Sequence, residues 1–242
     1  MNKLTSCAII PARYAATRYP GKLMERLGEK SVIRHTYENT LATGLFDQVM
    51  VVTDSEVIFK EISSVGGVVK MSEREHESGS DRIAEAAAGL SIDLIVNVQG
   101  DEPFIQKKPL ADLIAAFNDT TVLVASLMQK IEHVEDISNP NVVKVVTDMN
   151  MNALYFSRAA IPYDRNSDLP KDYFRHIGVY AFRKDTLLRF TGWRPGRLEN
   201  IEKLEQLRYL ENGVDIRMVE TFFTGIGIDT PDDLERAKKL LL

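Results

Sequence analysis

The stretch Asp93-Leu94-Ile95-Val96-Asn97-Val98-Gln99-Gly100-Asp101-Glu102-Pro103 changes character midway. Residues 93–98 are almost continuously aliphatic, which suits a strand covered on both faces rather than one with a face in water. From Gln99 onward the run is polar, ends in two adjacent carboxylates and is closed by a proline, which cannot donate to a ladder. Similar apolar runs recur at 7–11, 48–53, 67–71 and 121–126. Between them, 31–43, 55–65, 80–90 and 109–118 place apolar residues at helical spacing. Strands alternating with helices in this way predict an α/β fold with an open, mostly parallel sheet and helices on both faces.

After about Gln129 the rhythm changes. Segments 141–147 and 153–156 read as extended around a turn at Asp148-Met149-Asn150, and 176–182 reads as a further strand after the polar stretch 164–173. The chain is therefore expected to be one domain over 1–242 with a small strand-rich inserted lobe at 130–190. Ile201, Leu204, Leu207 and Leu210 predict an apolar helical stripe that stops at Asn212-Gly213, followed by a strand at 216–219 returning to the main sheet. The last helix has a capping threonine, Thr230, with Pro231 at its first position and Asp233 three residues on, so Asp229 stands just outside a helix N-terminus.

The 242 residues are enough to bury a core without disulfide or metal staples. Lys and Arg number 30 against 35 Asp and Glu, a net charge of −5, which argues against nucleic acid and anionic membrane surfaces as partners. It leaves open a small anion held by a few clustered cations. The single cysteine, Cys7, excludes an intrachain disulfide and a cysteine zinc site and fits a reducing cytoplasm. No run approaches the ~20 apolar residues of a membrane span, so membrane insertion is not expected.

Three segments carry candidate chemistry. The loop after the first strand, Pro11-Ala12-Arg13-Tyr14-Ala15-Ala16-Thr17-Arg18-Tyr19-Pro20-Gly21-Lys22, lacks the glycine patterns of dinucleotide and P-loop sites. It instead puts three cations within ten residues at the carboxyl end of a strand, where ligands bind in open α/β sheets. It reads either as a side-chain cradle for a triphosphate or as a solvated loop. Asp101, with Asp229 as a second oxygen donor, suits Mg²⁺ bound through one or two carboxylates plus substrate phosphates; the competing readings are a turn cap and a carboxylate favouring a helix dipole. Ser78-Gly79-Ser80-Asp81-Arg82 opens a helix and reads as a ligand-facing N-terminus or as an ordinary turn and cap.

In order along nearly the whole chain, these pieces resemble the 3-deoxy-manno-octulosonate (Kdo) cytidylyltransferases. The resemblance rests on Ile10 to Ala15 with Thr17-Arg18 and Pro20-Gly21-Lys22; on His76, Ser78, Gly79 and Arg82; and on Asn97 to Pro103. It continues in Tyr155-Phe156-Ser157-Arg158, Ile161 to Arg165, His176 to Tyr180, Leu204 to Arg208 and Ile228-Asp229-Thr230-Pro231. The sequence departs from the family's common pattern at Ala16, Tyr19 and Leu23-Met24.

The resemblance implies a GT-A-like nucleotidyltransferase fold, a homodimer contacting through the inserted lobe, and Mg²⁺-dependent transfer of CMP from CTP to Kdo, with release of pyrophosphate, for lipopolysaccharide biosynthesis. It implies Arg13, Lys22 and Asp101 as catalytic. Pro11, Ala12, Arg13, Arg18, Lys22, Ser78, Gly79, Arg82 and Gln99 would contact the nucleotide, and Asp101 and Asp229 the metal. Gln99, Arg158, Arg165, His176, Tyr180 and Glu205 would surround the sugar acid, matching a ligand with one carboxylate and many hydroxyls. A structural role stays open for several of these: His176 or Tyr180 packed on its strand, Glu205 solvated beside its helix. A different nucleotidyltransferase, one making CMP-sialic acid or using another base, and a silent nucleotide-sensing module are the competing functions.

Overall fold

A computed structural model describes residues 4–15, 19–74, 76, 78–165, 172–222 and 227–241. In chain order the elements are β1 (Ser6–Ala12), β2 (Arg26–Leu27), β3 (Lys30–Ser31), α1 (Val32–Ala42), β4 (Gln48–Thr53), α2 (Glu56–Ser64), β5 (Val69–Met71), α3 (Gly79–Ala88), β6 (Leu94–Asn97) and α4 (Lys107–Ala115). There follow β7 (Val124–Lys130), α5 (Val134–Ser138), β8 (Lys144–Thr147), β9 (Ala153–Ser157), β10 (Phe174–Arg183), α6 (Lys184–Phe190), α7 (Arg197–Glu202), α8 (Leu207–Glu211), β11 (Ile216–Glu220) and α9 (Pro231–Leu240). They divide into two compact units, Met1–Leu110 with Thr224–Leu242, and Ala111–Phe223.

In the first unit β6, β1, β4 and β5 lie side by side and all pair in parallel. Cys7, Ala8, Ile9 and Ile10 are successive residues of β1 and all are fully buried, so both faces of this strand are covered, as its unbroken apolar run requires. Side-chain oxygens start the helices: Ser31 accepts from the Arg34 amide, Ser55 from Ile58, Ser78 from Asp81 and Thr230 from Asp233. Each such cap is worth about 1 kcal/mol. The chain builds outward from β1 through β4 to β5, then crosses back to place β6 on the other side of β1. The carboxyl ends of β1 and β6 therefore flank a reversal of strand order, the place where such sheets leave a crevice.

In the second unit β7 pairs in parallel with β11 and antiparallel with β10, and β8 joins β10 to β9. The expected single stripe from Ile201 to Leu210 is instead split between α7 and α8. Lys203 adopts a left-handed conformation (φ 54°) that ends α7, and Ile201 is exposed while Leu204 and Leu207 are buried. The i, i+3 spacing that suggested one helix is shared by two short ones. A buried Arg208–Glu199 pair ties α8 to α7, with Nε and Nη2 each donating to one carboxylate oxygen (2.8 and 2.5 Å) and the guanidinium over the Phe190 ring.

Candidate active site

At the end of β1 the chain turns out through Arg13 and comes back at Gly21. There the amide of Gly21 donates to the Tyr14 carbonyl (2.8 Å), and a left-handed φ of 75° makes glycine the natural occupant. This closure returns Lys22 to the strand ends. Pro11, Arg13, Ala15, Lys22, Leu23, Gly79, Gln99, Gly100 and Asp101 line a cavity of about 280 Å³. Gly100 is closely approached: a Cβ would lie 3.0 Å from the Pro11 carbonyl oxygen and 3.2 Å from Ile33 Cδ1, tighter than an ordinary contact, so a larger residue requires these neighbours to give way.

The Lys22 ammonium pairs with both the Asp101 carboxylate and Asp229 Oδ1, the latter at 2.9 Å. Burial opposes its charge, but the two carboxylates outweigh that cost and hold its pKa above the ordinary lysine value. The Ile228 amide donates to the Asp101 carbonyl (2.9 Å), which fixes the two aspartates as neighbours although 128 residues separate them in sequence. Asp229 precedes the capping box of α9, and its own amide donates to Asp233 (3.1 Å). Two hard carboxylate donors converging on one cation fit a divalent metal whose remaining ligands are phosphates and water. Among the described residues no group of three or more His, Cys, Asp or Glu side chains forms a closed metal cage.

Of the expected nucleotide contacts, Arg13 is partly buried, and its Nη2 atom is buried with no hydrogen-bond partner among the described residues, so it has bonding capacity to spare. Ser78 caps α3, and Gly79 at its first position faces the cavity. Arg82 is fully buried: its guanidinium bonds Asp54 (2.5 Å) and the Ala12 carbonyl (3.4 Å), so it supports the end of β1 from beneath. It is not among the residues lining the cavity, and its Nε is buried with no hydrogen-bond partner among the described residues. Arg18 lies outside the described residues. His76, one of the residues behind the resemblance, pairs with Glu85 (3.0 Å).

The second unit carries the expected sugar contacts other than Gln99. His176 and Tyr180 both stand on β10, whose register against β7 slips between Ile177 and Tyr180. The slip inserts two residues, so the alternation survives and the two rings stay on one face, 5.3 Å apart. Phe156 meets the His176 ring edge-on at 5.1 Å, and Phe182 stacks on Tyr180 at 5.7 Å. Burial lowers the His176 pKa to about 3, leaving a neutral imidazole at physiological pH. Burial, reinforced by the negative Glu205, raises that of Tyr180 well above its ordinary value, so its phenol keeps its proton. Glu205 lies in the turn before α8. Arg158 is committed to protein partners: Nε donates to the Glu202 carbonyl (2.8 Å) and Nη1 to the Pro140 carbonyl (2.9 Å). Arg165 is exposed.

Sequence reasoning passed over Ser126, Tyr209 and Glu202. Ser126 is a fully buried hydroxyl in the otherwise apolar run Val124-Ala125-Ser126-Leu127, and that isolation was the available signal. Tyr209 is buried with a hydroxyl lacking a partner among the described residues. Glu202 accepts from the Ser157 hydroxyl (2.6 Å) and the Arg158 amide (3.0 Å), a pairing no sequence spacing announces.

Comparison with known proteins places this geometry. A family model described as cytidylyltransferase matches residues 7–216. A 3-deoxy-manno-octulosonate cytidylyltransferase of Flavobacterium johnsoniae is 57% identical over 97% of each chain, and one of Pelobacter propionicus is 46% identical over 96% of this chain and 95% of its own. A solved CMP:2-keto-3-deoxy-manno-octonic acid synthetase complexed with CTP superposes over 98% of each chain with a TM-score of 0.94 at 36% identity. A 4-diphosphocytidyl-2C-methyl-D-erythritol synthase from Anaerococcus prevotii shares the fold at 16% identity, with a TM-score of 0.66 over 98% of each chain.

Proposed function

Because the chain belongs to the cytidylyltransferase family, we propose that it transfers CMP from CTP to the anomeric hydroxyl of Kdo, releasing pyrophosphate. The observation that carries this reading is the convergence of Lys22, Asp101 and Asp229 at the carboxyl ends of β1 and β6, beside the spare guanidinium nitrogen of Arg13. The hydroxyl oxygen of the sugar attacks the α-phosphorus, the bond to the β-phosphate oxygen breaks, and the hydroxyl proton goes to solvent. No covalent enzyme intermediate is needed, since the sugar is itself the nucleophile.

Arg13 and Lys22 stabilise charge that grows on the phosphate oxygens as the leaving group departs, so they act where the barrier is highest. Ser78 orders the start of α3, whose first residue, Gly79, lines the cavity, so that the helix start is offered to the nucleotide. Arg82 holds Ala12 and thereby the path of the loop that carries Arg13. Pro11 lines the cavity and packs against the nucleotide, Ala12 is fully buried behind it, Arg18 adds charge to the same loop, and Gln99, also lining the cavity, takes part in binding both substrates. Mg²⁺ held by Asp101 and Asp229 would offset phosphate charge and lower the pKa of the attacking hydroxyl. Arg158 and Arg165 supply positive potential for the sugar carboxylate, while His176, Tyr180 and Glu205 take its hydroxyls.

We further propose a homodimer to which the lobe at 130–190 contributes contacts, working in the cytoplasm to activate Kdo for lipopolysaccharide assembly. The single cysteine, Cys7, is buried as a free thiol, so no intrachain disulfide calls for an oxidising compartment. No helix among the described residues is long and apolar enough to cross a membrane.

The test is pyrophosphate release from CTP with Mg²⁺ across a panel of Kdo, its 8-amino analogue and sialic acid. Turnover with Kdo is expected, and turnover with sialic acid alone refutes the reading. Asp101→Asn should lower kcat by about 10² to 10³ while the protein still melts cooperatively; near-normal activity refutes its role.

A further inference from the structure

The hydroxyl of Ser126 on β7 lies 2.9 Å from Nε2 of His176, 3.0 Å from the Val179 carbonyl oxygen and 3.2 Å from the Ile177 carbonyl oxygen. Both carbonyls belong to the slipped segment of β10. Three polar atoms thus surround one hydroxyl that owns a single proton. The carbonyls can only accept. Were the proton aimed at His176, two carbonyl oxygens would face bare hydroxyl lone pairs at hydrogen-bond distance inside the protein, an arrangement that costs the desolvation of each. With the proton on a carbonyl, the hydroxyl oxygen is free to accept, and the contact to His176 becomes a hydrogen bond only if Nε2 carries the ring proton.

We propose that Ser126 is a positioning residue that fixes His176 as the neutral Nε2–H tautomer, so that Nδ1 is presented as an acceptor for a hydroxyl of the sugar acid. The inference rests on the reading of His176 as a sugar contact. Its setting is consistent: the Phe156 edge and the Tyr180 ring hold the imidazole plane, burial keeps the ring uncharged, and the ring meets the Ser126 hydroxyl through Nε2. The chemical consequence is selectivity of orientation. An imidazole lone pair accepts from a hydroxyl and repels a carboxylate, so His176 meets the polyol part of the sugar acid and leaves the carboxylate to cationic side chains. An imidazolium in the same place would favour the opposite orientation.

Long-range proton–nitrogen NMR on the full-length, ¹⁵N-histidine-labelled protein reads the tautomer directly. The chain has four histidines, and a His176→Asn variant assigns the signal. The wild type should show a protonated Nε2 and an unprotonated Nδ1 at position 176; a protonated Nδ1 overturns the inference without any Ser126 variant having to fold. Ser126→Ala should mix the two tautomers and raise KM for Kdo about three- to tenfold, the loss of one neutral hydrogen bond, with KM for CTP unchanged. Ser126→Thr should restore both. A mixed tautomer with unchanged KM for Kdo overturns the inference and leaves the cytidylyl-transfer reading standing. A wild type that turns over no Kdo overturns that reading instead, while the NMR still reports the tautomer.

Discussion

Replacing Lys22 by Met tests the electrostatic core of the proposed site before any chemistry is measured. The substitution keeps most of the apolar stem and removes the only cation touching both Asp101 and Asp229 among the described residues. Two carboxylates gathered around one ammonium are then left facing each other. At a separation of about 5 Å and an effective dielectric of about 20, their repulsion is about 3 kcal/mol. The Asp229 side chain is 45% exposed, so solvent and salt screen part of this, leaving about 1 to 2 kcal/mol. For a chain of this length that corresponds to a Tm lower by about 2 to 8 °C in chelator at low salt. Millimolar Mg²⁺ should then recover more of the loss in the variant than it adds to the wild type, because the metal takes a place that Lys22 contests. Calorimetry of both proteins, each with chelator and with Mg²⁺, gives the four melting temperatures needed. Equal melting in chelator refutes the counter-ion role of Lys22. An equal Mg²⁺ increment in both proteins refutes the assignment of the two aspartates to one metal.

Two further predictions follow from packing and protonation. Gly100→Ala forces a methyl to within 3.0 Å of the Pro11 carbonyl oxygen; a loss of about 1 to 3 kcal/mol in urea unfolding, with a lower kcat from displacement of the adjacent Asp101, is expected, and wild-type stability would show that the strand ends are not close-packed. His176 stays neutral in the fold down to about pH 3, whereas the unfolded chain protonates it near pH 6.5. Its depressed pKa therefore leaves stability untouched above pH 6.5 and lowers it as pH falls toward 3, by up to about tenfold in the folding equilibrium per pH unit. His176→Asn should flatten that part of the urea-midpoint profile between pH 7 and 4, and a parallel profile refutes it.

The strands of the first unit were legible because burial on both faces writes itself as an unbroken aliphatic run: 48–53 coincides with β4, and 7–11 and 93–98 fall within two residues of β1 and β6 at each end. The last helix was legible because its cap chemistry is local, and Thr230, Pro231 and Asp233 take up the expected positions. Helix breaks decided by a single φ were not legible. Lys203 in a left-handed conformation carries no glycine to announce it, so two short helices read as one. The chemical residues divide along the same line. Asp101 and Asp229 could be nominated singly, since each follows a strand and precedes a turn or helix, but their meeting at Lys22 depends on an Ile228 to Asp101 main-chain bond that spans about half of the chain. Arg82 stands near a helix start, and its spacing does not announce the bond its guanidinium makes to Asp54, at the end of the neighbouring strand. Ser126 was the least visible. Its role depends on a register slip in a strand about fifty residues away, and one hydroxyl proton shared among an imidazole and two carbonyls is a property of that slip, not of any motif. Sequence therefore nominates charged groups at strand ends well, because position and charge are local. The groups that orient them are set by long-range pairing, and only the folded chain assigns those.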